Sequence, residues 1–221
     1  MRRDHQPMRT LRVLVVVLAV FMMGRAPAVA TDSARVTFTK SFPGSTPAYV
    51  SIAVERSGTV SYKEVADDDP DQFQLEGNIT AAIFDLARKL NHFSQPIESG
   101  LKVANTGAKT FRWEDGAESN EAKFNFSVDE NAKTLLDIFE RISESERLFI
   151  EFQRAIRHDK LGVHQALVNI QIAWDRKRLL GTPQFLPLFD QVAKSDIYLH
   201  MARERAAQLA ESIRAMNPKA E

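Results

Sequence analysis

The chain of 221 residues contains no cysteine and carries as many basic as acidic side chains, 29 of each. The absence of cysteine excludes disulfide bonds, a lipid-modified cysteine and a cysteine nucleophile. After residue 30 no segment is strongly basic over a long run, so we expect no nucleic-acid partner.

The first thirty residues have the pattern of a bacterial export signal. A basic start is followed by the uncharged, mostly apolar residues 13–23 and then by Ala28-Val29-Ala30, a small-x-small cleavage pattern. Because a membrane span takes about 20 apolar residues, this segment is too short to cross a bilayer. We therefore expect a signal peptide cleaved before Thr31, a periplasmic or secreted product, and no stable membrane anchor; an uncleaved anchor is the alternative. Removing residues 1–30 takes away five Arg and one Asp, which leaves 24 basic and 28 acidic side chains and a net charge of −4.

The chain then shows the period-two alternation of β-strands. Val36 and Phe38 alternate with polar neighbours in the first strand. Alternating residues 49–56 and 59–65 are joined by Ser57-Gly58, which predicts a β-hairpin with a two-residue turn. Residues 72–75 predict a further short strand.

A helix and two more strands follow. Asn78 is predicted to cap a helix whose apolar residues recur at helical spacing up to Phe93. Residues 109–114 predict a strand, and Asp115-Gly116 predicts a turn after it. Residues 121–128 alternate strictly, which predicts a half-buried strand. Its predicted buried side chains are Ala122, Phe124, Phe126 and Val128.

From Asp129 onward the apolar period changes to 3.6, which predicts helices. The first has an apolar face of Leu135, Leu136, Phe139, Ile142, Phe149, Phe152 and Ile156. The sequence Ser-Glu-Ser-Glu at 143–146 either adds a polar patch to this helix or breaks it. A second helix is predicted over 163–180, and a short third one begins with Thr182 as N-cap. A last helix is predicted from Ser195 or Asp196 to Met216, with an inner face of Ile197, Met201, Leu209 and Ile213.

These elements predict an α+β fold. An antiparallel meander sheet in the order ββ(β)-α-ββ-α has one face covered by helices and is followed by C-terminal helical hairpins. We divide the chain into a signal peptide (1–30), an α+β domain (31–142) and a helical C-terminal region (143–221).

One hairpin resembles a known family. Residues 42–49 read Phe-Pro-Gly-Ser-Thr-Pro-Ala-Tyr and are followed by Ser57-Gly58-Thr59-Val60 and Tyr62. This segment resembles a family of secreted bacterial domains of unknown function, whose first hairpin carries Cys-Phe-Gly-x-Cys-Pro-x-Tyr and then Gly-x-Val-x-Tyr. Pro43 is an extra residue here and both cysteines are absent, with Thr46 at the place of the second. The resemblance covers residues 34–128, implies the ββαββα order and implies no site, because the family has no established activity.

Histidine and carboxylate neighbours are the only catalytic candidates. His158 and Asp159 supply a general base or metal ligand beside a carboxylate, as in an enzyme with dispersed catalytic residues. His164 lies six residues on, about 240° around a continuous helix, so it does not share their face. The alternative is that these are surface or capping histidines. The common hydrolase and phosphate-loop motifs are absent.

The densest acidic cluster is Asp67-Asp68-Asp69-Pro70-Asp71. Asp67, Asp69 and Asp71 occupy positions 1, 3 and 5 of a calcium loop, whereas Gln72 and Asn78 replace its Gly and its Glu. A solvated hairpin loop is the alternative, and we assign no cofactor. Likewise, the aromatic band Phe111, Trp113, Phe124 and Phe126 is either a ligand platform or core beneath a helix.

Three classes of function follow. The favoured one is an exported, non-enzymatic module that binds a protein or a cell-envelope partner, because no catalytic set is present. The alternatives are a small-ligand or metal-binding protein, using the aspartate loop or the aromatic band, and an enzyme with dispersed residues around His158 and Asp159.

Overall fold

The structure, a computed structural model, describes residues 34–216, so the predicted export signal lies outside the described residues. The strands are β1 (Arg35–Ser41), β2 (Tyr49–Glu55), β3 (Thr59–Lys63), β4 (Asp71–Gln74), β5 (Ala108–Asp115) and β6 (Glu118–Phe124). The helices are α1 (Gly77–Lys89), α2 (Glu130–His158), α3 (Val163–Asp175), α4 (Leu186–Lys194) and α5 (His200–Met216). Short 3-10 turns occupy Asn91–Phe93 and Thr182–Phe185. The strands form one antiparallel sheet in the order β4-β3-β2-β1-β5-β6, which confirms the predicted α+β fold with C-terminal helices.

The β2–β3 hairpin is present, but its turn is one residue longer than predicted. Residues 56–58 connect the strands, and the Gly58 N–H donates to the Glu55 carbonyl at 2.9 Å. Gly58 has a φ of +87°, and a Cβ there would lie 3.2 Å from the Leu75 carbonyl oxygen. Glycine is required here because side-chain-bearing residues rarely adopt this conformation.

The predicted strand over 121–128 is wrong in its second half. β6 ends at Phe124, and Phe126 and Val128 are 39% and 56% exposed rather than buried. The reason lies at Asn125, whose backbone N–H donates to the Glu98 carboxylate instead of continuing a strand ladder. The chain therefore leaves the sheet one residue after Phe124.

One face of the sheet carries the core beneath α1 and α2. Phe38 stacks on Phe139 of α2 with ring centroids 5.2 Å apart, and Trp113 meets the edge of Phe84 of α1 at 5.9 Å. Phe111 is fully buried among these rings. Burying such a side chain contributes about 2 kcal/mol, so this band stabilises the fold strongly. Core, rather than ligand platform, is thus the confirmed role of Phe111, Trp113 and Phe124, whereas Phe126 lies outside it.

Helix α2 is continuous over 29 residues and joins two buried clusters. Leu135, Phe139 and Ile142 belong to the cluster under the sheet, and Phe152 belongs to the cluster formed with α3, α4 and α5. The Ser-Glu-Ser-Glu segment does not break the helix. The proposed boundary between residues 142 and 143 falls inside this element, and the described residues 34–216 belong to one compact unit.

The N-terminus of α2 offers a test of this helix. The Asp129 carboxylate accepts hydrogen bonds from the N–H groups of Asn131 and Ala132, at 2.7 and 3.0 Å. Replacing an N-cap of this kind with alanine costs about 1 kcal/mol. We expect Asp129→Ala to lower the free energy of unfolding by that amount in urea denaturation, and Asp129→Asn to retain most of it. Equal midpoints for wild type and the alanine variant would contradict the assigned cap.

The C-terminal helices differ from the prediction at two of their starts and at one end, since α3 ends at Asp175 and not at residue 180. Thr182 does not cap a helix with its side chain; it lies in a 3-10 turn, and α4 begins at Leu186. Helix α5 begins at His200, so Ile197 lies before it. Ile197 and Met201 are each 55% exposed and do not belong to the predicted inner face, while Leu209 and Ile213 are buried as predicted. Within residues 34–216, no helix combines the length and the apolar character that crossing a bilayer requires.

Candidate functional site

Glu76 joins the sheet to the C-terminal helices. It is the N-cap residue of α1, in place of the predicted Asn78, and its carboxylate reaches a segment more than a hundred residues away. That carboxylate accepts from the backbone N–H groups of Gly181 and Thr182, at 2.9 and 2.8 Å, and from the Thr182 hydroxyl at 2.7 Å. Glu76 therefore caps the 3-10 turn that precedes α4, and its negative charge is favoured beside the N–H groups at the start of that turn.

Gly181 makes this close approach possible. Its φ is +62°, and a Cβ at this position would lie 2.9 Å from the ring of Phe73. Next to it, the Leu180 N–H donates to the Ser145 hydroxyl of α2 at 2.9 Å, and Ser145 is buried. A small polar residue at 145 thus lets the chain cross α2 at short distance.

The contact of Glu76 with Gly181 and Thr182 is called the seam here. Along it opens a cleft of about 740 Å³, a volume typical of small-molecule pockets. We call it the seam cleft. Its apolar lining is Ile79, Trp174, Leu179, Leu180 and Met216, and its polar lining is Glu76, Asn78, Arg141, Asp175, Lys177 and Thr182. The residues come from α1, from α2, from the ends of α3 and α5, and from the segment between α3 and α4.

Arg141 is a partly buried cation of the seam cleft whose hydrogen-bonding capacity is incompletely used. Its side chain is only 21% exposed, and its Nε is buried with no hydrogen-bond partner among the described residues. One terminal nitrogen donates to the Lys177 carbonyl at 2.7 Å. The nearest carboxylate, that of Asp137, lies 3.9 Å away and is closer to Arg178, at 3.3 Å. The guanidinium consequently keeps donor capacity for a further acceptor.

A second groove lies beside Glu146. Glu146 of α2 is 2% exposed and accepts a hydrogen bond from the Gln184 amide at 3.0 Å. Burial raises the pKa of Glu146 to about 7, and the nearby carboxylates of Asp71 and Glu64 act in the same direction. The groove of about 510 Å³ beside it is also lined by Gln72, Gln74, Gln153 and Gln184. Because burial outweighs the hydrogen bond from Gln184, which lowers the pKa, this carboxyl group is neutral over much of the acidic range.

The structure places the predicted histidine candidates apart from both of these grooves. His158 is the last residue of α2 and is exposed; Asp159 follows it and accepts from the Gly162 N–H at 2.9 Å. Asp159 therefore closes the α2–α3 connection. His164 lies on α3, with its Nδ1 buried and unpaired among the described residues. Neither of these cavities is lined by any of the three.

The aspartate cluster lies in an exposed loop. Asp67 and Asp69 belong to the β3–β4 connection, whereas Asp71 is the first residue of β4 and lines the groove beside Glu146. Among residues 34–216, no group of three or more His, Asp or Glu side chains is placed to hold a metal ion.

Sequence patterns missed Glu76, Arg141 and Glu146. Glu76 and Arg141 carry no local signal, because their partners lie 105 and 36 residues away in the chain. Glu146 did carry one. It follows Ile142 by four residues and precedes Phe149 by three, so it occupies a position on the apolar stripe of α2.

Comparison of the chain with protein-family models, with curated proteins and with solved structures finds no match. The resemblance of residues 34–128 to secreted bacterial domains therefore stays a prediction. The site is interpreted from its own geometry.

Proposed function

We propose that the protein is an exported, non-catalytic binding module, and that its ligand is a small amphipathic anion held in the seam cleft. Export rests on the sequence of residues 1–30. A non-catalytic role is supported by the separation of the His158 and Asp159 candidates from the seam cleft and from the groove beside Glu146.

The observation that carries the proposal is the incompletely satisfied Arg141 cation in a cleft lined by both apolar and polar side chains. The two acidic residues of the cleft have partners of their own: Glu76 accepts three hydrogen bonds, and Asp175 accepts one from Gln171. Arg141 and the exposed Lys177 are left to attract an acidic group. Arginine suits this task because its planar guanidinium pairs with carboxylate or phosphate oxygens through two N–H groups.

The rest of the cleft fits an apolar ligand body. Trp174 is half-buried and lines the cleft together with Leu179 and Met216. An indole ring and aliphatic side chains offer a surface for a hydrocarbon chain or a ring. The N-terminal residues of α1 also line the cleft, and a helix N-terminus favours negative charge.

Decanoate is a suitable probe, with decanol as its uncharged counterpart. Binding is followed by tryptophan emission, because Trp174 lines the cleft and Trp113, the other tryptophan, is buried in the sheet core. We expect Arg141→Met to weaken decanoate binding about tenfold or more, since hydrogen bonds to charged groups contribute about 1.5 to 3 kcal/mol. Decanol binding is expected to change little, because the methionine retains the apolar stem.

Arg154→Met is the matched control, since Arg154 is exposed on the same helix. It is expected to bind both probes like the wild type, while Trp174→Phe removes the emission signal. Equal decanoate affinity in wild type and Arg141→Met, with both proteins folded by circular dichroism, would overturn the proposal. So would the absence of saturable binding to the wild type.

A further inference from the structure

The groove beside Glu146, called the glutamine groove here, is lined by acidic, amide and apolar side chains. Its acids and its amides are Glu146 of α2, Asp71 of β4, Gln72, Gln74, Gln153 and Gln184. Among the described residues that line it, none is Lys, Arg or His. Two carboxyl groups therefore face a cavity of about 510 Å³ without a basic side chain opposite them.

Glu146 uses only one of its two carboxyl oxygens within the described part of the chain. Its Oε2 accepts from the Gln184 amide at 3.0 Å, whereas its Oε1 has no hydrogen-bond partner among residues 34–216. The residue is nevertheless only 2% exposed, and it lines the glutamine groove. A buried carboxylate without an ion-pair partner is costly in free energy. An acceptor oxygen is thus left where a donor on a ligand can reach it.

The ionisable groups that face Glu146 are acidic as well. Asp71 pairs with Tyr62 in the register of β3 and β4, and Glu64 directly follows β3. Burial raises the pKa of Glu146, and the carboxylates of Asp71 and Glu64 act in the same direction. The Tyr62 hydroxyl donates to the Glu64 carboxylate at 2.8 Å, and burial raises the pKa of that hydroxyl, so it stays neutral. Negative charge at the groove is therefore not balanced by these neighbours.

We propose that the glutamine groove binds an organic ammonium ion, with Glu146 and Asp71 as its acidic partners. A primary ammonium group has three N–H donors and no acceptor, which suits a carboxylate oxygen and the carbonyl oxygens of glutamine side chains. Phe149 and Ile150 line the same groove, so an aromatic ring is present to attract the cation and an aliphatic surface to contact its alkyl part. Charge complementarity selects a cation over a neutral ligand. The proposal is independent of the seam cleft, because no residue lines both cavities.

Hexylammonium is a suitable probe, with hexanol as its uncharged counterpart. Binding to the full chain is measured by isothermal titration calorimetry at about pH 8, where Glu146 is mostly ionised because its pKa is about 7. The amine is protonated there, since an alkylammonium group has a pKa of about 10. We expect saturable binding of hexylammonium and binding of hexanol that is weaker by about tenfold or more, because the alcohol carries no charge.

Two substitutions remove the acidic partners one at a time. Glu146→Gln is expected to weaken hexylammonium binding about tenfold or more, because a charged acceptor is lost from a buried position. Asp71→Asn is expected to weaken it about threefold, because Asp71 is exposed and solvent screens its attraction. Glu140→Gln is the matched control, since Glu140 is exposed on α2 outside the groove. Arg141→Met, which alters the seam cleft, is likewise expected to bind hexylammonium like the wild type, so the two proposals can fail separately.

The pH dependence of binding is a second readout. A bound cation favours the ionised form of Glu146, so hexylammonium affinity is expected to rise about tenfold between about pH 6 and pH 8 in the wild type and to stay constant in Glu146→Gln. Circular dichroism checks that every variant folds. Absence of saturable binding, or equal hexylammonium affinity in wild type and Glu146→Gln, would overturn the proposal. Hexanol that binds as tightly as hexylammonium would also overturn it and leave the groove to a neutral ligand.

Discussion

Replacing Glu76 with alanine is expected to lower the free energy of unfolding by about 4 kcal/mol, measured by urea denaturation. The carboxylate accepts three hydrogen bonds at 2.7 to 2.9 Å, two of them from the backbone of the buried residues Gly181 and Thr182. Removing the carboxylate takes a charged hydrogen-bond acceptor away from all three donors, and a hydrogen bond to a charged group contributes about 1.5 to 3 kcal/mol.

Glu76→Gln keeps this test informative if the alanine variant does not fold. Glutamine has one carbonyl oxygen in place of two carboxylate oxygens, so it can accept only some of the three hydrogen bonds. The expected loss of unfolding free energy is therefore about half that of the alanine variant. Glu211→Ala is the control, because Glu211 is exposed on α5. An unfolding midpoint for Glu76→Ala equal to that of the control would show that the seam does not depend on this carboxylate.

Glu146→Gln is expected to stabilise the protein at about pH 8 by about 3 kcal/mol and to leave its stability unchanged near pH 4. Burial raises the pKa of Glu146 to about 7 in the folded protein, from an ordinary value of 4.5. Between these two values the folded state binds the proton more tightly than the unfolded state does. This group therefore lowers stability as the pH rises from about 4.5 to 7, and no further above that. Glutamine has no proton to lose, so its contribution stays constant.

The measurement is a series of urea denaturation curves from acidic to mildly basic pH. Glu140→Gln is the matched control, since Glu140 is exposed on the same helix. It is expected to leave the pH dependence as in the wild type, whereas Glu146→Gln flattens it across this window. Parallel stability curves for wild type and Glu146→Gln would mean that the buried carboxyl does not titrate as described.

The alternation of apolar and polar residues within single strands predicted most of the sheet, because one face of each strand is buried and the other is not. Val36 and Phe38 alternate with polar neighbours, and the sheet buries that face against α1 and α2. In the segment of β6, apolar and polar residues alternate through Phe126, yet the strand ends at Phe124. It ends there because the Glu98 carboxylate accepts a hydrogen bond from the backbone N–H of Asn125. Periodicity describes which side chains could share a face. It contains no information about a distant carboxylate that competes for a backbone N–H.

Such local patterns could not predict the contact between Glu76 and Thr182, for the same reason. Glu76 and Thr182 are 106 positions apart, and neither stands in a recognisable motif. Within α2, Ser145 and Glu146 resemble the capping residues of a helix end, although the helix continues through them. They are buried because the segment around Leu180 crosses α2 at that point. Their polar character reflects a contact made by another part of the chain.

The shared helix α2 also restricts how the length of this chain can change. Each residue added to an α-helix turns everything beyond it by 100° and advances it by 1.5 Å. An insertion between Ile142 and Phe152 would therefore rotate one buried cluster out of phase with the other. Substitutions along α2 leave that phase intact, whereas insertions and deletions are best accommodated by exposed connections such as residues 101–106. Variation in length is thus expected to concentrate in the loops and to avoid the middle of α2.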